Sequence, residues 1–138
     1  MASQASRFLF LFILGLLVGA VVTVIAMRWL QERQDPFPHS IMQVMSKQTA
    51  VIKQNLTANR CTVSDSLPRL QTLRAVSNDL EPAFPDLAED QRFVTHAGQL
   101  RATLDGALSA PPVGCPDTEA TLAKVNEACD GCHKDFPN

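Results

Sequence analysis

Phe8 to Met27 reads FLFLFILGLLVGAVVTVIAM, twenty residues without a single charge. As a helix rising about 1.5 Å per residue it spans roughly 30 Å, the hydrocarbon thickness of a bilayer. A cleaved signal peptide is the rival reading, but its apolar core runs to only about 7–15 residues and ends at a small-residue cleavage site. This run is longer and continues into Met27-Arg28-Trp29-Leu30. It predicts an uncleaved transmembrane anchor within residues 1–30. The flanking charges do not orient it: Arg7 and the amino terminus lie on one side, Arg28 and Arg33 on the other beside Glu32 and Asp35. Gly15 and Gly19 form one GxxxG, which is either a helix-packing face or a pair of ordinary lipid-facing glycines.

The chain beyond the anchor has room for one compact domain at most. Gln31–Pro38 (QERQDPFP) reads as a short polar linker stiffened by Pro36 and Pro38. Residues 39–138 then show four helical patterns. From His39 to Asn59, Met42, Met45, Thr49, Ile52 and Leu56 recur at the three- and four-residue spacing of one helix face. From Leu67 to Leu80 the stripe is Leu70, Leu73, Val76 or Ser77, and Leu80, with Asp65 and Ser66 as caps and Pro68 in the first turn.

Pro82 and Pro85 precede a third pattern over Asp86–Ser109, carried by Phe93, Ala97, Leu100, Leu104 and Ala107/Leu108. After the stop Ala110-Pro-Pro-Val-Gly-Cys-Pro116, a fourth begins near Asp117 as N-cap and carries Leu122, Val125, Ala128/Cys129 and Cys132. No hairpin signal or internal repeat interrupts them. The expected fold is all-α: one transmembrane helix, then an up-down-up-down four-helix bundle. Such bundles place cofactor sites between facing helices. With a net charge of −2 and no basic run, nothing speaks for a nucleic-acid partner.

The chemistry concentrates at Cys129-Asp130-Gly131-Cys132-His133. Two cysteines two residues apart, followed at once by histidine, form the attachment signature of c-type haem. Each thiol bonds one vinyl group, and the adjacent imidazole becomes the proximal iron ligand. A thioredoxin-like redox pair would want a βαβ setting, which is missing. A zinc site would have to recruit Cys61 and Cys115, which are not the close second pair that zinc folds supply. Chance is the third rival, but the His directly after the second Cys, in a chain exported across a membrane, makes haem much the strongest reading.

The haem helix Val125-Asn-Glu-Ala-Cys-Asp-Gly-Cys-His-Lys-Asp-Phe136, with Ile41-Met42-Gln43-Val44-Met45 on the first helix, resembles the class II c-type cytochromes. This is the cytochrome c-prime family and its six-coordinate relatives, and the resemblance covers about residues 39–138. It implies a four-helix bundle with one covalent haem c on Cys129 and Cys132, His133 as proximal axial ligand, and Met42 facing the iron, with Met45 as the alternative. A Met42 that does not bond would leave five-coordinate haem. Class I cytochromes c, whose motif lies near the N-terminus, are disfavoured. The chain departs from the family in having Pro137 where arginine is usual, in its anchor, and in its two extra cysteines.

The resemblance further implies maturation on the outer face of a bacterial inner membrane, hence a single-pass protein with a cytoplasmic N-terminus and a periplasmic haem domain. The expected function is electron transfer to or from a membrane-bound respiratory complex or a periplasmic redox protein. The alternatives are a diatomic-gas-binding haem protein and an accessory haem subunit of a respiratory complex. No catalytic base, nucleophile or substrate motif marks an enzyme.

Free thiols are uncommon in an oxidising compartment, so Cys61 and Cys115 are expected to pair. Cys61 follows the first bundle helix and Cys115 precedes the fourth, which puts both at one end of an up-down bundle. On the chain-entropy account such a loop contributes roughly 3–4.7 kcal/mol. By the same topology the haem and the tether share the opposite end. Phe93 is expected to pack on the haem or on neighbouring core, His39 to be solvated, and His96 to be a satisfied, half-buried histidine. Lys124 and Lys134 are either docking residues or a solvated face.

Overall fold

The computed structural model describes residues 4–32 and 36–137, with side chains described over 7–29 and 36–137. The chain divides into two units, Met1–Pro36 and Phe37–Asn138. The first holds helix α1 (Gln4–Glu32). Its segment Arg7–Trp29 is long and apolar enough to cross a membrane, and none of it is buried against protein. A helix that is apolar all round belongs in a core or in lipid. The Thr23 hydroxyl donates to the Gly19 carbonyl at 2.8 Å, so its one polar side chain in mid-span is satisfied within the helix.

The second unit is a helical bundle, with no strand among the described residues. Its elements are α2 (Phe37–Thr57), α3 (Val63–Val76), a 3-10 turn (Ser77–Asp79), the short α4 (Leu80–Ala83), α5 (Gln91–Ser109) and α6 (Cys115–Asp135). Several boundaries differ from expectation. Gln31 and Glu32 complete α1, and Phe37 and Pro38 open α2, so half of the expected linker is helical; Arg33, Gln34 and Asp35 lie outside the described residues. α3 starts earlier because Thr62, not Ser66, caps it: the Asp65 carboxylate accepts from the Thr62 amide at 2.9 Å and from its hydroxyl at 2.6 Å. α5 starts later because residues 85–89 form turns and the Asp90 carboxylate accepts from the Arg92 amide at 2.8 Å. α6 starts at Cys115 after Gly114, whose φ of 85° suits glycine; Asp117 sits in the first turn, where a carboxylate is favourable to the helix dipole.

The buried stripes are close to those read from the sequence: Leu70 and Leu73, then Phe93, Ala97, Leu100 and Leu104, then Leu122 and Val125. On α2 the stripe is rotated. Ile41, Met45 and Ile52 form its apex, while Met42, Thr49 and Leu56 lie half-buried to one side. At 100° per residue, a shift of one position moves a side chain from the core to its edge. That edge faces α6, and it positions the site.

The helices pack as α2 on α3 and α6, and α5 on α3 and α6. Side-chain bonds fix their registers: Gln48 with Arg69 and Asn55 with Asp65; Arg74 with Asp105 and the Ser77 carbonyl with Arg101; His96 with Asp135. Cys61, just past α2, and Cys115 at the head of α6 stand at disulfide distance, with Cα atoms 4.9 Å apart. Among the described residues no buried side-chain polar atom lacks a partner.

Candidate functional site

The last two turns of α6 carry Cys129, Cys132 and His133. Residues three apart on a helix share a face, so both thiols turn the same way. They are half-buried against the core, whereas His133 is exposed. All three line a cavity of about 300 Å³, at the lower end of the size of small-molecule sites. α2 supplies Met42, Met45, Ser46 and Thr49 to its wall, and Leu80, His96, Ala97 and Leu100 close it from α4 and α5. Met42 and Met45 thus line the same cavity as the CxxCH turn.

Burial pushes the Cys129 thiol up from its ordinary value, helped by the Asp130 carboxylate and by Cys132. Cys132 is pushed up by burial and then by Asp135. Both thiols are therefore neutral near pH 7. A nucleophilic or redox CxxC needs the opposite, a depressed thiol at a helix N-terminus, and this one lies at a helix C-terminus. Zinc is equally ill served. Cys61 and Cys115 are engaged with each other, and no cluster of three or more His, Cys, Asp or Glu able to hold an ion occurs among the described residues.

The same donor set fits a covalently attached haem. Two cysteines at thioether-forming spacing, an adjacent histidine without a hydrogen bond among the described residues, and two methionines line one largely apolar space. Cys129 and Cys132 would hold the group, with His133 and one of the methionines on its iron.

Phe93 is 3% exposed and is not on the cavity wall. It belongs to the buried core. Its ring lies 5.7 Å from that of Phe84 and, edge-on, 5.6 Å from that of Phe136. His96 is half-buried and satisfied: its Nε2 lies 3.0 Å from an Asp135 carboxylate oxygen. His39 is exposed, with its Nε2 2.8 Å from the Gln43 amide nitrogen. Lys124 borders a groove between α5 and α6, and Lys134 is exposed.

Ser46, Leu80 and Asp135 were not read from the sequence as site residues. Ser46 had a signal, since it follows Met42 by four positions and shares its side of α2. Asp135 had one too: a carboxylate ending a helix opposes the dipole and calls for a partner. Leu80 had only its place on a core stripe. Pro137 removes the charge expected after Phe136, yet a guanidinium does reach that ring, from Arg92 of α5 at 5.2 Å. No protein-family model, no curated protein and no solved structure matches this chain.

Proposed function

We propose that the chain is a membrane-anchored monohaem c-type cytochrome of the class II kind, carrying electrons to or from a membrane respiratory partner. The observation that carries this reading is the meeting, around one apolar cavity, of a free and neutral CxxC pair, the next-door imidazole and two methionines. The haem, when bound, supplies the ferrous–ferric couple, and a His/Met ligand pair raises its potential. This chain's own residues would bind and shelter it: Cys129 and Cys132 would fix it to α6, His133 and Met42 or Met45 would supply ligands to its iron, and Leu80, Ala97 and Leu100 would help exclude water.

The finer architecture belongs to the same proposal. The register pairs Gln48–Arg69, Arg74–Asp105 and His96–Asp135 support an up-down-up-down bundle of α2, α3, α5 and α6. α1 is taken to cross a bacterial inner membrane with its N-terminus cytoplasmic and the haem domain periplasmic. The Cys61–Cys115 pair supports an oxidising compartment. Met42, on the second turn of α2, borders the same cavity as His133, so the start of α2 and the haem would share one end of the bundle.

The test is a denaturing gel of protein matured with haem, stained for covalent haem, followed by visible spectra of both oxidation states with and without carbon monoxide. A coloured band and low-spin haem that ignores the gas are expected. A colourless band overturns the reading; a coloured protein with high-spin ferrous haem that takes up carbon monoxide replaces electron transfer with gas binding. Co-purification of the coloured protein with a respiratory complex in mild detergent makes it a subunit.

A further inference from the structure

Two residues past His133 the structure contains an arrangement that haem attachment by itself does not require. Asp135 is the last residue of α6, where the helix dipole disfavours a carboxylate. It is met there by α5: His96 Nε2 lies 3.0 Å from its Oδ2, and the Arg92 guanidinium feels its charge. Phe136, the next residue, is covered from the same helix. Arg92 stacks over its ring at 5.2 Å, Phe93 meets it at 5.6 Å, and His96 lies edge-on at 6.4 Å. Arg92, Phe93 and His96 are one turn of α5, so three side chains from one turn hold two consecutive residues of the chain.

The held residues are tied to the motif through the backbone. The Phe136 amide donates to the Cys132 carbonyl at 2.9 Å and closes the last turn of α6. On the other side of that turn the His96 ring lies against Gly131, close enough that a Cβ there would stand 3.6 Å from its Cε1. His96 therefore touches the chain both before and after His133, and it also forms part of the cavity wall.

We infer that this turn of α5 grips the end of α6 and sets the direction of the His133 imidazole, with His96 as a positioning residue for the proximal ligand. The inference rests on the haem reading. Helix termini fray, and a ligand in a terminal turn without tertiary support has no fixed geometry. A rigid supporting contact narrows the orientations of an axial imidazole, and the partners that hold a ligand in place tune the metal it binds.

The experiment compares the parent with His96→Ala, His96→Gln and, as a control, Arg74→Ala. The control removes a bonded ion pair between α3 and α5, Arg74–Asp105, that does not touch the motif. Haem stain is read first, then the ferric spectrum and the ferric-to-ferrous ratio at one fixed applied potential. His96→Ala is expected to keep covalent haem, gain a high-spin fraction and move the ratio several-fold. His96→Gln, which can still donate to Asp135, should recover most of the parent behaviour, and Arg74→Ala should match the parent. If His96→Ala does not fold, Asp135→Ala, which removes the acceptor for His96, takes its place with the same expectation. A coloured His96→Ala protein with the parent's spectrum and ratio overturns the grip and leaves the haem reading intact, as does Arg74→Ala moving as far as His96→Ala. A colourless parent overturns both.

Discussion

The two ends of the bundle use the same residue type in opposite ways. At one, two loops converge: Cys61 just past α2 and Cys115 at the head of α6, with the Gly114 amide donating to the Cys61 carbonyl at 3.1 Å. Their cysteines are far apart in sequence and are spent on each other. At the other, one helix presents Cys129 and Cys132 side by side to a hollow, and burial keeps them protonated and free. Topology decides which thiols meet, and their surroundings decide what they are ready to bond. The closed end is secured by the chain itself. The hollow end encloses a cavity of about 300 Å³, and on the proposed reading a cofactor would complete the core of this domain of about a hundred residues.

The largest effect separates the two pairs outright. Replacing both Cys129 and Cys132 by Ala should abolish covalent haem, while Cys61→Ala with Cys115→Ala should leave the haem-stained band. Loss of colour from the second double variant in folded protein would erase the functional difference between the ends.

Next comes the cost of opening the closed end. The two cysteines are 54 positions apart, and the loop they close contributes about 4 kcal/mol on the chain-entropy account. Denaturant unfolding of Cys61→Ala/Cys115→Ala should show a loss of that order. Thiol labelling of the unfolded, unreduced parent should find both cysteines protected; two reactive thiols there would refute the bond.

The hollow end is sharpened by its methionines. Met45 is 6% exposed and part of the core, so Met45→Ala should cost about 2–5 kcal/mol in unfolding free energy. Met42 is half-buried at the core's edge, and Met42→Ala should cost less. If Met42 is the iron ligand, its loss should turn low-spin haem high-spin and lower the potential, while Met45→Ala should do neither. The reverse spectral result moves the ligand to Met45, and no effect from either variant means another ligand or an open site.

These two methionines also mark where the sequence was legible. Hydrophobic spacing located the long helices because each buries a face with the period of the helix, and CxxCH pointed to the cavity because its two thiols and imidazole are adjacent in the chain and line the same hollow. Helix ends were less legible. Thr62 with Asp65 makes a capping box that begins three residues before the caps expected at Asp65 and Ser66, and Pro68 lies inside the helix. The rotation of α2 that makes Ile41 and Met45 core and leaves Met42 at the edge depends on where α6 packs, which no local pattern encodes. The hold of His96 on Asp135 joins residues 39 positions apart and was invisible for the same reason.

The smallest expected effect tests what supports the hollow end in place of a covalent bond. Arg101 grips Glu81 with two nitrogens, at 2.6 and 3.0 Å, and donates to the Ser77 carbonyl at 3.0 Å. Its neighbour Leu100 and Glu81's neighbour Leu80 are both on the cavity wall, so the bridge braces that wall from behind. The Arg101 hydrogen bonds hold the Glu81 carboxyl below its ordinary value of 4.5. A carboxyl lowered on folding stabilises the folded state fully above its unfolded value, and that contribution is lost as pH falls through the folded value. Glu81→Gln should therefore be less stable than the parent by about 1–2 kcal/mol at pH 7. The gap should stay constant down to about pH 4.5 and close as the solution is acidified further. Unfolding curves of both proteins across that range measure it. A gap that persists at the acid end would show that charge is not what braces the wall, and no gap at pH 7 would leave the hollow end supported by packing alone.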